Sequence, residues 1–137
     1  MSHGPTVDDV IAVAEFRAAL RQFMRRSERV ARGSGLTPQR YLLLLMIKGS
    51  PGGDEQSTVT ELSERLQLAQ STVTELVRRA EDAGLVAREQ SQRDARVAHL
   101  RLTEEGERRL HRSFTELQTE RRQLAEAFSH LEQAAAV

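Results

Sequence analysis

The spacing of apolar residues changes period at Gly84, and that change limits the possible folds more than any other feature of the chain. Before it, residues 59–66 carry apolar side chains at helical spacing, with Thr58 or Thr60 placed as cap. Leu68-Ala69-Gln70 is a tight connector. Residues 71–83 resume the helical spacing and predict a helix that buries Val73, Leu76, Val77 and Ala80. Gly84 ends that helix in the position just past its last turn, and Leu85 is placed for the apolar contact that accompanies such a stop. After it, residues 85–89 and 96–102 read as strands. The second strand is expected to turn Ala98, Leu100 and Leu102 inward and Val97, His99 and Arg101 outward. Gln90-Ser91-Gln92-Arg93-Asp94-Ala95 joins them as an exposed hairpin tip. Two short helices, a tight turn and a two-stranded ribbon make a winged helix-turn-helix, whose second helix is the one that enters a major groove.

Long helical seams flank this core. Val13, Phe16, Leu20, Phe23 and Val30 step by three and four, with Ser27 in the one gap, and Gly33-Ser34-Gly35 closes the helix. Thr37 and Pro38 then suit the cap and first turn of a second helix. The run Tyr41 to Ile47 makes that helix apolar on nearly all sides, so it is expected to be buried between layers. Thr103-Glu104-Glu105 opens one last long helix, with a seam of Leu110, Phe114, Leu117, Leu124, Phe128 and Leu131 and with Arg121 in the missing place. The expected fold class is mainly α with a small β-wing. A single domain, 1–137, carries a winged helix-turn-helix over 36–102, between dimerisation helices at 7–34 and 103–137.

Composition removes several function classes. At 137 residues the chain has the length of one ordinary domain. It has no cysteine, hence no disulfide framework, thiolate zinc site or thiol redox sensor. The longest apolar run is far short of the ~20 residues that cross a bilayer, and Met1-Ser2-His3-Gly4-Pro5 does not read as a signal peptide. The expectation is a cytoplasmic protein with no membrane partner. Asp8-Asp9, Glu81-Asp82 and Glu104-Glu105 are adjacent on helices, so the carboxylates of each pair diverge instead of flanking one substrate. His3, His99, His111 and His130 lack zinc-ligand spacing, the glycines at 49–53 are not followed by Gly-Lys-Ser/Thr, and no Gly-x-Ser-x-Gly is present. No catalytic residue, metal or cofactor is expected.

The motifs are specific enough to name a resemblance. Leu36-Thr37-Pro38-Gln39 with Tyr41, Leu62 through Leu68, Ser71-Thr72-Val73-Thr74-Glu75-Leu76-Val77 followed by Gly84-Leu85-Val86, Arg93-Asp94-Ala95-Arg96, and Leu102-Thr103-Glu104-Glu105-Gly106 occur in one order over roughly residues 10–120. In this the chain resembles the multiple-antibiotic-resistance regulator (MarR) family of bacterial transcription factors. It departs from the family pattern at Ala69, where a Ser-like cap is common, so the reading helix starts at Gln70 or Ser71. It departs again at Ser91, where Asp is common.

Double-stranded DNA is the expected partner. On the reading helix, Ser71, Thr72, Thr74, Glu75 and Arg78 face away from the core. Hydroxyls near a helix N-terminus suit phosphate, and Arg78 one turn on suits guanine O6 and N7. Glu75 either accepts from cytosine N4 or holds Arg78 or Arg79, and helical spacing favours the second. In the wing, Arg93 and Arg96 flank Asp94. The resemblance implies that Asp94 fixes an arginine so that the wing can enter the adjacent minor groove, where negative potential is enhanced.

A homodimer on a pseudo-palindromic site follows from this class of reader and from the two seams that the motif cannot cover. All five aromatics, Phe16, Phe23, Tyr41, Phe114 and Phe128, lie in or beside these seams, and none is placed for base stacking. The resemblance also implies repression released by a small aromatic or anionic effector, for which Phe16, Arg17, Leu20, Arg21 and Tyr41 are the candidate lining. The alternative is a winged-helix protein-interaction module without DNA binding, which overall neutrality and Glu75 keep open. Twenty basic residues, all arginine except Lys48, meet twenty acidic ones. The zero is a sum of +3 over residues 1–40, −2 over 41–70, +1 over 71–102 and −2 over 103–137. Between residues 86 and 102, four arginines face two acids, so recognition is expected to rest on a few specific arginines.

Overall fold

The computed structural model describes residues 4–135. His3 and the outermost ends of the expected domain 1–137 and helix 103–137 lie outside the described residues. In chain order the elements are α1 (Val7–Gly33), α2 (Pro38–Lys48), α3 (Val59–Leu66), α4 (Gln70–Asp82), β1 (Val86–Gln90), β2 (Ala98–Leu102), α5 (Glu104–Glu116) and α6 (Gln118–Ala135). This is the mainly helical, winged helix-turn-helix architecture that the periodicity predicts. The chain forms two compact units, one made of the segment up to Val30 with the segment from Phe114, the other of Ala31–Ser113.

The Ala31–Ser113 unit is assembled from local signals. Thr37 Oγ accepts from the Arg40 N–H at 3.1 Å and Pro38 occupies the first turn of α2. Thr58, not Thr60, caps α3. Its hydroxyl accepts from the Glu61 N–H, while the Glu61 carboxylate accepts from the Thr58 N–H, both at 3.2 Å. α2 packs against α3, α4 and β2, and Leu43, Leu44, Ile47, Leu62, Val73, Val77, Leu85 and Leu100 are fully excluded from water. One expectation for α2 fails. Leu42 is 43% exposed, so the helix buries a face built on Tyr41, Leu43, Leu44 and Ile47 and is not covered all round.

Gly84 takes φ +74°, and the Leu85 N–H reaches back to the Ala80 carbonyl at 2.9 Å, which ends α4 as predicted. β1 and β2 pair antiparallel, Val86 opposite Leu102 and Gln90 opposite Ala98. The second strand starts two residues later than the sequence suggests. Its expected two-sided alternation is also reduced, because Leu100 alone is buried and its neighbours on either side are only half covered. At that middle position of β2, Ser57 and Leu100 exchange backbone hydrogen bonds of 3.1 and 2.8 Å, so the segment before α3 runs beside it.

Thr103 joins ribbon to helix. Its N–H donates to the Leu85 carbonyl at 3.0 Å, its hydroxyl donates to the Gly84 carbonyl at 2.6 Å, and the same oxygen accepts from the Gly106 N–H at 3.1 Å. Gly106 is buried so close to this junction that a Cβ there would lie 2.2 Å from the Leu85 carbonyl oxygen. Lys48, the lone lysine, ties the end of α2 to α5 through Glu107 at 2.9 Å and to Glu55 at 3.1 Å, and the Glu107 hydrogen bond raises its pKa.

In the other unit, α1 and α6 run antiparallel. Phe16 meets Phe128 with ring centroids 6.0 Å apart, and Arg26 meets Glu120 at 3.4 Å. The expected single last helix is broken at Leu117 into α5 and α6. No glycine or proline marks the break. At the break the Phe114 carbonyl accepts from the Leu117 N–H at 3.3 Å and from the Arg121 guanidinium at 2.7 Å, and that guanidinium also sits 3.7 Å over the Phe114 ring. Arg121 therefore fills the gap in the seam by sealing the break. Phe114 and Phe128, expected as seam residues, are 45% and 48% exposed within the single chain.

Candidate nucleic-acid interface

α4 begins without a side-chain cap, because Ala69 has no acceptor to offer. The N–H groups of its first turn are therefore not claimed by a capping side chain, and Ser71, Thr72 and Thr74 are exposed beside them. Such an end attracts an anion through both the open N–H groups and the helix dipole.

One turn further on, the helix carries a closed network of charges. Glu75 receives both Arg78 Nε at 3.0 Å and Arg78 Nη2 at 2.5 Å, a two-point fork. The same carboxylate receives Arg79 Nε at 3.1 Å. The remaining terminal nitrogen of Arg78, Nη1, reaches Asp82 Oδ2 at 3.0 Å. The hydrogen bond from Arg78 is the main reason the Glu75 carboxyl is lowered from 4.5 to about 2, and Glu75 in turn raises Arg78. Of the two roles left open for Glu75, the structure shows the tether, and it shows both arginines held at once. Asp82 was missed as a partner, although its position four residues after Arg78 was the available signal. As a whole, α4 sets two arginines against three acids.

The wing tip is ordered by two short side chains. Ser91 Oγ accepts from the Arg93 and Asp94 N–H groups at 3.2 and 3.3 Å, and the Val97 carbonyl accepts from the Ser91 N–H at 2.9 Å. Asp94 Oδ1 accepts from both the Arg96 N–H at 3.0 Å and Arg96 Nε at 3.2 Å. That single-edge contact leaves the terminal nitrogens of Arg96 pointing out, and its side chain is 91% exposed. Arg93 is exposed beside it. Ser91 stands where an Asp is common and does the work of a turn acceptor, a role indicated by a hydroxyl two and three residues before open N–H groups. At the base of the ribbon Arg88 is bound to Glu81 of α4 at 3.0 Å, and Arg101 donates to Gln56 at 3.3 Å.

The candidate effector residues do not all come together. Arg17, Leu20 and Arg21 line one recess of about 410 Å³ with Met24, Arg25 and Glu28 on α1. Phe16 is turned onto Phe128 and is not part of that lining. Tyr41 is only 4% exposed and belongs to the core of the other unit. Among the described residues no helix is long and apolar enough to cross a membrane, and no three His, Asp or Glu side chains are grouped to hold a metal ion.

Residues 34–97 match the profile of the MarR family. The fold is shared with solved structures. A MarR family transcription regulator is 24% identical, with a TM-score of 0.70 over 93% of this chain and 82% of that one. AbsC, a MarR family transcriptional regulator from Streptomyces coelicolor, is 22% identical, with a TM-score of 0.65 over 95% and 84%. A mutant MarR from E. coli complexed with operator DNA is 18% identical, with a TM-score of 0.70 over 88% and 87%. No curated protein sequence matches the chain.

Proposed function

Since residues 34–97 are a MarR-family region in a chain with the fold of MarR-family transcription regulators, we propose that this protein is a non-enzymatic, sequence-specific reader of double-stranded DNA. It acts in the cytoplasm as a homodimer that represses by occupying a pseudo-palindromic promoter site. The observation that carries the reading is the wing tip, where Asp94 grips one edge of Arg96 and leaves its charged end projecting into solvent. A guanidinium held in this way loses little freedom when it enters a narrow minor groove. In this reading Ser71, Thr72 and Thr74 meet the phosphates at the uncapped end of α4, Arg78 reads guanine with Glu75 setting its geometry, and Arg93 supports Arg96 at the groove edge.

The dimer reading is supported by apolar surface. Val7, Val10, Ile11, Val13, Met24, Phe114 and Phe128 are all exposed in the unit containing α1 and α6, whereas the Ala31–Ser113 unit exposes only Leu42 among large apolar residues described. A second copy of the chain would cover that surface. The effector reading rests on Arg17, Leu20 and Arg21, whose recess combines an apolar wall with cations suited to a small aromatic anion. The acid excess of α4 favours one alternative, an interaction module that binds protein instead of DNA. Such a module has no use for an arginine held outward at the tip of the wing.

Binding to duplex DNA from the gene's own upstream region, measured across a salt series, tests the proposal. Protected half-sites and a steep loss of affinity with salt are expected. Arg96→Ala is expected to weaken binding by about tenfold or more. Binding no tighter than to bulk DNA, or no change on removing Arg96, would count for the interaction module. A solution mass of one chain at micromolar concentration would exclude the dimer.

A further inference from the structure

Arg78 is the one arginine on the reading face of α4 whose guanidinium is engaged at every nitrogen, by Glu75 through Nε and Nη2 and by Asp82 through Nη1. From this closed chelate we infer that Asp82, with Glu75, is a specificity-determining residue, which keeps Arg78 off the DNA backbone and releases it only to a base edge that offers two acceptors. The inference rests on the DNA-reading proposal and goes beyond it by assigning a role to an acid that does not itself suit a DNA contact.

An untied arginine on a reading helix binds any phosphate it reaches, and that contact carries no sequence information. Arg78 starts elsewhere. Its charge is met by Glu75 and Asp82, and both carboxylates also repel an approaching phosphate. Moving to a phosphate brings a third anion up to Glu75 and Asp82, of which Glu75 alone keeps a partner, Arg79. Moving to guanine O6 and N7 gives a two-point contact to uncharged acceptors and adds no further anion beside the two carboxylates. The carboxylates therefore weaken wrong sites more than right ones, and specificity is the difference between the two. The Glu75 carboxylate stays charged well below neutral pH, so the chelate is present under any ordinary binding condition. Arg96 provides the contrast, since one carboxylate oxygen holds one edge of it and, among the described residues, no second acid closes the other.

The test uses the full-length protein and two probes. One is a duplex enriched by the wild type from a random-sequence pool; the other is a scrambled duplex of equal length and composition. Asp82→Asn is expected to tighten binding to the scrambled duplex by roughly threefold to tenfold per half-site and to steepen its salt dependence by about one unit. Binding to the selected duplex should change less, so the affinity ratio falls. Asp82→Glu should restore the ratio, and in an Arg78→Gln background Asp82→Asn should leave it unchanged. These positions are exposed, and melting curves check that each variant folds. A ratio unmoved by Asp82→Asn, or moved equally with and without Arg78, overturns the inference while leaving the regulator reading intact. A wild type that enriches no sequence overturns both.

Discussion

Arg78 on α4 and Arg96 on the wing are the same residue in opposite states. Arg78 is saturated by Glu75 and Asp82 within a helix that carries more acid than base. Arg96 is braced by a single carboxylate on a ribbon where arginine is in excess. Both are exposed, so burial does not separate them; the number of acids within reach does. The comparison teaches that a chain with no net charge can divide the work of binding. The wing supplies a cation that needs no rearrangement, and the helix supplies one that must be exchanged for a suitable base.

The largest effect is expected from removing the frame that both regions share. Gly106→Ala would press a methyl group onto the Leu85 carbonyl, where β1 leaves the end of α4. A fixed backbone atom cannot yield as a side-chain tip can. A loss of about 3 kcal/mol or more in chemical denaturation is expected, with DNA binding lost through both regions together. A near-neutral result would show that α5 can shift away from the ribbon.

Ser91→Ala sharpens the wing side of the comparison. It removes the acceptor shared by the Arg93 and Asp94 N–H groups. Because the first of these hydrogen bonds is exposed and the second only partly buried, stability should fall by no more than about 1 kcal/mol. DNA affinity should drop by less than in Arg96→Ala, and equally for selected and scrambled duplexes. A wing that keeps full affinity would mean that the Asp94 brace alone orders the tip.

The smallest effect probes the helix side through acid. Glu75 is lowered to about 2 in the folded chain from 4.5. Between those values the unfolded chain takes up the proton first, so the stability contributed by the chelate is present above about 4.5 and is lost as pH falls toward 2. Melting temperatures of wild type and Glu75→Gln should differ at neutral pH and converge as pH approaches 2. A constant difference over that range would mean that the carboxylate is not what holds Arg78.

Much of this arrangement is legible along the chain, for a reason visible in its caps and stops. Thr37, Gly84 and the Glu75 tether act on groups no more than five residues away, so spacing alone indicates them. Asp82, four residues after Arg78, belongs to the same class and is legible too. The break at Leu117 was not legible, since neither glycine nor proline is there and what stabilises it is Arg121 folding back onto Phe114. Leu42 in an unbroken apolar run could not be distinguished from its buried neighbours without knowing which face α3, α4 and β2 would cover.

The nineteen arginines draw the same line. Helix period, strand period and the acids three and four residues away are written into the sequence, because those interactions close within a single turn. Arg65 is committed to the carbonyls of Met46 and Gly49, Arg101 to Gln56 and Arg109 to Gly35, across 16 to 74 residues of chain. Identical guanidiniums become a cap, a brace, a chelated reader or a projecting tip according to which oxygens the packed core brings within 3 Å or so. Distance along the chain carries no record of that, and only folding brings those partners together.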